Sequence, residues 1–220
     1  EGGLAVDAEA VTGGSSVPLT LDPDGLPAEV RQAYPHLASY EALRLSGKDA
    51  KSAEELLTGQ LAVAAYDDLG RLVDATGVQI PGVLDDVYAD AVDRNLGVNW
   101  RGNTPSLAVW APTAKDVDLL LRVPGAATDT RTDLRRGSDG VWSVVGMPQW
   151  KGASYMYEVD VYVPETGAVE TNLVTDPYSL ALTTNSQRSV IVDLDDRALR
   201  PTGWNELTKP ALAQPEDSTI

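Results

Sequence analysis

Several stretches in the second half of the chain alternate apolar and polar residues in the way that is typical of β-strands. From residue 155 to residue 163, tyrosine and valine occupy the odd-numbered positions, while Met, Glu, Asp and Tyr occupy the even-numbered positions. Because successive side chains of a strand point to opposite faces, this pattern predicts a strand with one apolar face. Residues 106–111 predict another strand, which Pro112 ends because proline has no N–H to give to a ladder. Residues 117–123 predict the next strand, after a polar turn.

Turn signals separate these strands at the spacing expected of a β-sandwich. Asp139-Gly140 precedes a predicted strand at 141–145, and further strands are predicted at 168–174 and 189–194. Short strands at such regular spacing favour an immunoglobulin-like sandwich over an α/β unit. We place this second domain at residues 100–205.

The first half of the chain predicts another mainly β domain with little helix. Strands are expected at 40–45, 60–66 and 71–75, and short helical segments near 27–34 and 52–57. We assign residues 1–99 to this β-rich domain, whereas residues 206–220, with two prolines, are expected to form a linker. The predicted fold class is therefore all-β with minor helix, in two β-sandwich domains of which the second is immunoglobulin-like.

Charge and composition exclude several classes of function. The 220 residues contain 33 Asp and Glu against 17 Lys and Arg, so the chain would repel nucleic acid and anionic membranes. The absence of cysteine excludes disulfides, cysteine-based zinc sites and thiol nucleophiles, but leaves the cellular compartment open. No apolar run approaches the roughly 20 residues that span a bilayer, so no membrane insertion is predicted.

No constellation of residues predicts catalysis or metal binding. A retaining glycosidase needs two carboxyl groups about 5–5.5 Å apart, but the acidic pairs here are sequence neighbours, which point to opposite faces on a strand. The single histidine, His36, has no Ser, Cys or metal ligand close by in sequence. Residues 22–25 match only a fragment of a calcium loop and are better explained as a turn. We therefore predict no catalytic residue, no metal site and no cofactor.

Four segments resemble parts of known starch-degrading enzymes. The segment SLAVWAPTAKDVDLLL at 106–121 resembles the first strands of the immunoglobulin-like module that precedes the catalytic barrel in debranching and branching enzymes, the isoamylase N-terminal type of carbohydrate-binding module family 48. Residues 139–196, from DGVWSVVG to VDLDD, resemble pullulanases and plant limit dextrinases. Residues 26–45 and 61–89 are similar to the N-terminal domain of those enzymes. The resemblance covers roughly residues 19–207.

This resemblance implies the non-catalytic N-terminal portion of an enzyme that hydrolyses α-1,6 branch linkages in pullulan, starch or limit dextrins. Such enzymes act through a (β/α)8 barrel of typically about 250 residues, for which this chain is too short. Their catalytic motifs have no counterpart here, so the chain alone is expected to be inactive. The resemblance leaves calcium in a full-length enzyme open, and it implies that Glu1 lies inside the first domain. The alternative is a self-sufficient glycan-binding or adhesion module, which would be excluded by a reading frame that continues past Ile220 into a barrel.

Exposed aromatic rings are the candidates for α-glucan contacts, because sugars stack their C–H faces on them. Trp150 is predicted in a loop beside Tyr155, and Trp100 in the interdomain segment, so we assign these three residues as candidate glucan contacts. Trp110 and Trp142 lie in the middle of predicted strands and are expected to be core. Glycogen-binding relatives carry a tryptophan in the loop that corresponds to residues 124–137, and this loop has none, so binding is expected to be weak.

Asp176-Pro177-Tyr178 resembles an Asp-Pro-Tyr element that such modules place next to the catalytic barrel. An ordinary turn, with proline at its fixed φ, is the alternative explanation. Apolar residues and an arginine follow without forming a long strand, as expected of a contact surface. The predicted barrel-docking set is Asp176, Pro177, Tyr178, Leu180, Leu182 and Arg188.

Overall fold

The computed structural model describes residues 3–209 and 211, and most of its regular structure is β. The strands before residue 97 are β1 (Ala5–Val6), β2 (Val11–Thr12), β3 (Leu19–Leu21), β4 (Leu43–Leu45), β5 (Ala62–Tyr66) and β6 (Leu72–Gly77). Those after it are β7 (Gly97–Arg101), β8 (Thr104–Trp110), β9 (Ala114–Arg122), β10 (Thr130–Asp133), β11 (Arg135–Arg136), β12 (Val141–Val145), β13 (Ser154–Val163), β14 (Ala168–Val174) and β15 (Ser189–Val190).

Helices are short and lie mainly in the first half of the chain. The α-helices are α1 (Ala28–Ala33), α2 (Ala53–Leu56) and α3 (Pro81–Val87). Single 3-10 turns are found at Pro35–Leu37, Asp49–Ser52, Ala89–Asp93, Pro148–Trp150, Thr184–Ser186, Arg197–Leu199 and Trp204–Glu206. No helix among residues 3–209 is long and apolar enough to cross a membrane. Within the predicted linker, residues 210 and 212–220 lie outside the described residues.

The second domain is a sandwich of two antiparallel sheets. One sheet has the order β11-β12-β8-β7, and the other has the order β10-β9-β13-β14, with β15 also paired to β13. β13 is the central strand of the larger sheet and pairs with β9 on one side and β14 on the other. The all-β class predicted from the sequence is confirmed.

The alternation along the strands explains the core of this sandwich. Leu107 and Val109 of β8 face Leu119 and Leu121 of β9 across the domain, and Tyr157 of β13 joins them in one buried cluster. Each fully buried Leu or Val of this kind contributes about 1.5–3 kcal/mol of hydrophobic free energy relative to an exposed position. The faces that the period of two predicts to point inward are therefore the faces that hold the two sheets together.

The first strand of the second sandwich, β7, begins three residues before the predicted start of the second domain at residue 100. β7 pairs with β8 from Gly97 opposite Ala108 to Arg101 opposite Thr104. The predicted boundary after Asn99 therefore falls inside β7. The residues of β7 form a strand because they pair with β8, which follows them in the chain. The nearby glycines interrupt the pattern of side chains, so the sequence did not predict β7.

The first domain is less strongly packed than the second. Its strands pair as β1-β2, β3-β4 and β5-β6, in three separate two-stranded sheets, and so differ in arrangement from the predicted sandwich. Leu57 and Tyr88 are the buried large residues that the structure describes before Gly97. Two-stranded sheets of such short strands are marginal alone, so this domain depends on contacts made by its loops and neighbours.

Tyr88, which directly follows α3, anchors the interdomain segment on the second domain. Its hydroxyl accepts a hydrogen bond of 2.8 Å from Nη2 of Arg136, and that guanidinium lies 5.6 Å from the centre of the Tyr88 ring. The same arginine is 3.5 Å from a carboxylate oxygen of Glu54 in the first domain. A second ion pair joins Arg94 to Asp139 at 3.3 Å. Arg136 therefore contacts both the first domain and the segment that links it to the second.

Candidate functional site

The Asp-Pro-Tyr turn is held from beneath by buried hydroxyl groups. Asp176 is 3% exposed, and its Oδ2 accepts hydrogen bonds from the Tyr155 hydroxyl at 2.7 Å and the Tyr157 hydroxyl at 3.4 Å. Its Oδ1 accepts the N–H of Tyr178 at 2.8 Å, and its own N–H donates to Oγ of Ser189 at 2.9 Å. Asp176 was predicted as a docking residue, but its side chain is inside the sandwich, where it fixes the shape of the turn.

Burial changes the acidity of this group of residues. Desolvation raises the pKa of Asp176, against the opposing effect of the hydrogen bonds that it accepts from Tyr155 and Tyr178. Burial also raises the pKa of Tyr155 and Tyr157 well above the ordinary phenol value, and the neighbouring carboxylate acts in the same direction. Both phenols therefore keep their protons at neutral pH and act as hydrogen-bond donors to the carboxylate.

The outer side of the turn carries an exposed apolar surface, which we call the Tyr178 patch: Pro177, Tyr178, Leu180 and Leu182. Tyr178 is 38% exposed and Leu180 is 62% exposed. On its inner side, the backbone of Tyr178 packs on Gly97 so closely that a Cβ built on that glycine would lie 2.8 Å from the Tyr178 carbonyl oxygen. The turn is thus fixed on β7 while its side chains face outward.

Arg188 is not available as the polar rim of this patch. Its Nε donates to Oγ of Ser154 at 3.1 Å, and its Nη2 donates to the Leu120 carbonyl at 3.0 Å and to Asp129 at 3.1 Å. The prediction is corrected, because the guanidinium is used to join three segments of the larger sheet. These partners lie 34–68 residues away in sequence, so the residues next to Arg188 do not predict its contacts.

The predicted glucan contacts differ in their exposure. Trp150 is 5% exposed in the core, where its ring covers Gly146, and Tyr155 is fully buried. Neither ring has a free face for a sugar, and these two assignments are corrected to core positions. Trp100 is half-buried, and its Nε1 donates to the Val192 carbonyl at 3.0 Å. Trp142 is buried as predicted.

Trp204 is an exposed tryptophan that the sequence pattern did not indicate as a candidate. It is 54% exposed and contributes to a shallow cavity of about 210 Å³. The available signal was local, since Gly203 before it and Asn205 and Glu206 after it predict a polar turn that presents the ring. A larger open groove of about 630 Å³ lies between α2 and the start of β9, and Lys51, Glu54, Lys115 and Arg136 line it. In the part of the chain that the structure describes, no group of three or more histidine or acidic residues is placed to hold a metal ion.

Comparison with known families accounts for both domains. Residues 1–86 match the pullulanase N2 domain, and residues 95–179 match carbohydrate-binding module 48, the isoamylase N-terminal domain. The second match begins two residues before β7.

Individual relatives agree with these matches. The chain is 42% identical over 199 residues to a pullulanase of Klebsiella pneumoniae, an alignment that covers 87% of this chain and 18% of that protein. It is 34% identical over 222 residues to the chloroplastic pullulanase 1 of Arabidopsis thaliana, with 99% of this chain and 23% of that protein covered. The crystal structure of Klebsiella pneumoniae pullulanase complexed with maltotriose superimposes with a TM-score of 0.81 at 37% identity and covers 93% of this chain and 20% of that one. The chain thus spans about a fifth of the length of the curated relatives that it matches. It is an N-terminal region of the pullulanase type, in which a pullulanase N2 domain is followed by a carbohydrate-binding module 48.

Proposed function

We propose that this chain serves as the non-catalytic support of a debranching enzyme that hydrolyses α-1,6 linkages in pullulan, starch or limit dextrins on a separate catalytic barrel. The observation that carries the proposal is the pair of family matches in pullulanase order, over about a fifth of the length of those enzymes. By itself the chain should release no reducing sugar from pullulan. Activity that survives repurification would overturn this assignment.

The Tyr178 patch is the surface through which the chain would contact that barrel. Its side chains are apolar and exposed, whereas the turn beneath them is held by Asp176 and by the close contact with Gly97. Contacts between domains of one chain typically cover 600–1,500 Å², so Pro177, Tyr178, Leu180 and Leu182 would form the centre of such an area and not the whole of it.

A substitution in a full-length enzyme with this N-terminal region tests the contact. Tyr178→Ala should lower the melting temperature of the catalytic part, and Val145→Ala, at an exposed apolar residue that ends β12, should leave it unchanged. An unaltered melting temperature in the Tyr178→Ala enzyme would refute docking at this patch.

Weak binding of α-glucan is the second part of the proposal. It is supported by the match to a carbohydrate-binding module and by the partly exposed ring of Trp100. With two of the three predicted rings buried, little contact area is left, and calorimetry with maltotriose should give a dissociation constant on the order of 0.1–1 mM. Submicromolar binding would contradict this proposal.

A further inference from the structure

Trp204 lies in a small cavity that four polar side chains also line. Arg197, Arg200, Asn205 and Glu206 line the cavity with the indole ring. Nη1 of Arg200 lies 3.4 Å from Oδ1 of Asn205, so one planar side chain orients the other. The cavity therefore combines one apolar ring face with guanidinium donors, an amide and a carboxylate acceptor.

The backbone conformation of this segment brings these side chains together around the cavity. Gly203 has a φ of +80°, which a residue with a side chain rarely adopts, and it starts the 3-10 turn that carries Trp204 and its two polar successors. The N–H of Trp204 donates to the Pro201 carbonyl at 3.1 Å, which closes the preceding turn. The ring and the polar groups thus come from one compact segment of ten residues, 197–206.

The segment is also tied to the second domain. Oδ2 of Asp196 is 2.6 Å from Nζ of Lys151, and Oδ1 of the same carboxylate accepts the N–H of Ala198 at 2.9 Å. The aspartate therefore both caps the 3-10 turn at 197–199 and joins it to the loop before β13. This contact keeps the cavity close to the sandwich.

The chemistry of the cavity fits a carbohydrate. A sugar ring has an apolar C–H face, which stacks on an aromatic ring, and a rim of hydroxyls that both donate and accept hydrogen bonds. Ligand sites in proteins commonly join an aromatic or apolar surface to a few placed polar groups in this way. A buried apolar contact between protein segments would not need four polar side chains around the indole. The volume of about 210 Å³ is below the roughly 300–1,000 Å³ of sites for drug-sized ligands, so it suits a short stretch of glucan whose remainder lies in solvent.

We infer that Trp204, with Arg197, Arg200, Asn205 and Glu206, forms an α-glucan subsite outside the part of the chain that matches carbohydrate-binding module 48. The identity of the ligand rests on the α-glucan binding proposed above, whereas the position of the site rests on the cavity. The site holds the end of a glucan near the C-terminal side of the module. It is separate from Trp100, which lies on β7.

Two-dimensional NMR of the whole chain with maltotriose tests the subsite. Each of the five tryptophans contributes an indole N–H signal, and the signal that disappears in Trp204→Ala identifies Trp204. Maltotriose should shift this signal, and Trp204→Ala should weaken the association about tenfold in calorimetry. Leu207→Ala, which alters an exposed apolar residue next to the cavity but not in its lining, is the matched control and should bind as the unaltered chain does.

The other outcomes separate the subsite from the proposed function. A shift at Trp100 with none at Trp204, together with full affinity in Trp204→Ala, overturns the subsite and leaves the proposed glucan binding in place. The absence of any shift or heat at millimolar maltotriose overturns the subsite and the glucan binding, while the supporting role is decided separately by the Tyr178→Ala enzyme. Equal weakening in Leu207→Ala and Trp204→Ala also overturns the subsite, because it shows a general disturbance of this segment.

Discussion

The hydroxyl of Tyr155 joins β13 to a turn that follows it by 21 residues. It donates to Asp176 in a place that solvent does not reach, and the carboxylate in turn orients the N–H of Tyr178. A hydrogen bond to a charged group contributes about 1.5–3 kcal/mol, roughly twice the contribution of a neutral one. At the scale of single residues, the shape of the Tyr178 patch therefore depends on side chains that are not part of it.

Removal of this hydroxyl should destabilise the chain. We expect Tyr155→Phe to lower the free energy of unfolding by about 2 kcal/mol, because Oδ2 of Asp176 would keep only the long contact to Tyr157. Urea unfolding followed by tryptophan fluorescence measures the difference. Tyr162→Phe on the same strand is the control, since its buried hydroxyl has no hydrogen-bond partner among the described residues and its loss should be neutral or slightly stabilising. Equal losses in both variants would contradict the role of the Asp176 contact.

The titration of Asp176 leads to a pH-dependent prediction. Burial raises the pKa of this carboxyl, so the folded chain holds its proton more tightly than the unfolded chain. Its contribution to the free energy of unfolding is then complete below the ordinary carboxyl pKa and is lost as the pH rises through the raised pKa. We expect the free energy of unfolding of the unaltered chain to fall relative to that of Asp176→Asn, whose side chain does not titrate, as the pH rises from acid toward neutral. Urea unfolding of both chains over a pH series measures this change, and a rise of the unaltered chain relative to Asp176→Asn would mean that the accepted hydrogen bonds outweigh burial.

At the scale of elements, β7 and the Asp-Pro-Tyr turn depend on each other. Gly97 begins β7 with a φ of +75°, and there is no room for a side chain between it and Tyr178. The glycine is needed for two reasons, since the backbone conformation is rare for other residues and the approach of the turn is close. Strand and turn can therefore pack together only while position 97 lacks a Cβ.

Substitution of two different glycines separates the effect of the backbone conformation from the effect of the close approach. Gly97→Ala should lower the free energy of unfolding by about 2–4 kcal/mol, because it combines left-handed strain with the clash against Tyr178. Gly102→Ala, at a φ of +58° with open space around it, should cost only the strain of about 1–2 kcal/mol. Thermal and urea unfolding of both variants give the comparison. An equal decrease in the free energy of unfolding in both variants would show that the turn can move away from β7 without destabilising the chain.

At the scale of the whole molecule, Tyr88 is the main buried contact of the interdomain segment. Its ring lies beside Gly140 in a turn of the second domain, and Arg136 joins its hydroxyl to Glu54 of the first. Because the first domain buries little of its own surface, we infer that its stability depends on this contact.

Truncation of Tyr88 should therefore uncouple the two domains. We expect Tyr88→Ala to cost about 3–5 kcal/mol, the usual range for a large buried aromatic residue, and to replace one unfolding transition by two. Limited proteolysis should then cut between residues 78 and 96, where the unaltered chain should resist. Tyr40→Ala, at an exposed tyrosine of the first domain, should change neither result. A single unfolding transition in Tyr88→Ala would show that other contacts couple the domains.

Some features of this protein follow from the sequence alone. The strands β8, β9 and β13, the inward position of Trp142 and the all-β class come from alternation and turn residues, which are properties of neighbours along the chain. The family resemblance of both domains is likewise carried by segments of sequence, and the comparisons agree with it. These features are local, so a single sequence contains them.

The tertiary structure alone decided which of the candidate residues are accessible. Trp150 and Trp204 both lie in short 3-10 turns, yet Trp150 is covered by the sandwich and Trp204 is exposed. Asp176 and Arg188 likewise have ordinary polar surroundings in sequence, but the partners that hold them in the sandwich lie 13–68 residues away. The physical reason is that burial and hydrogen bonding at these positions depend on which strands pair across the sheets. A pattern of period two specifies the face of each strand but not its neighbour.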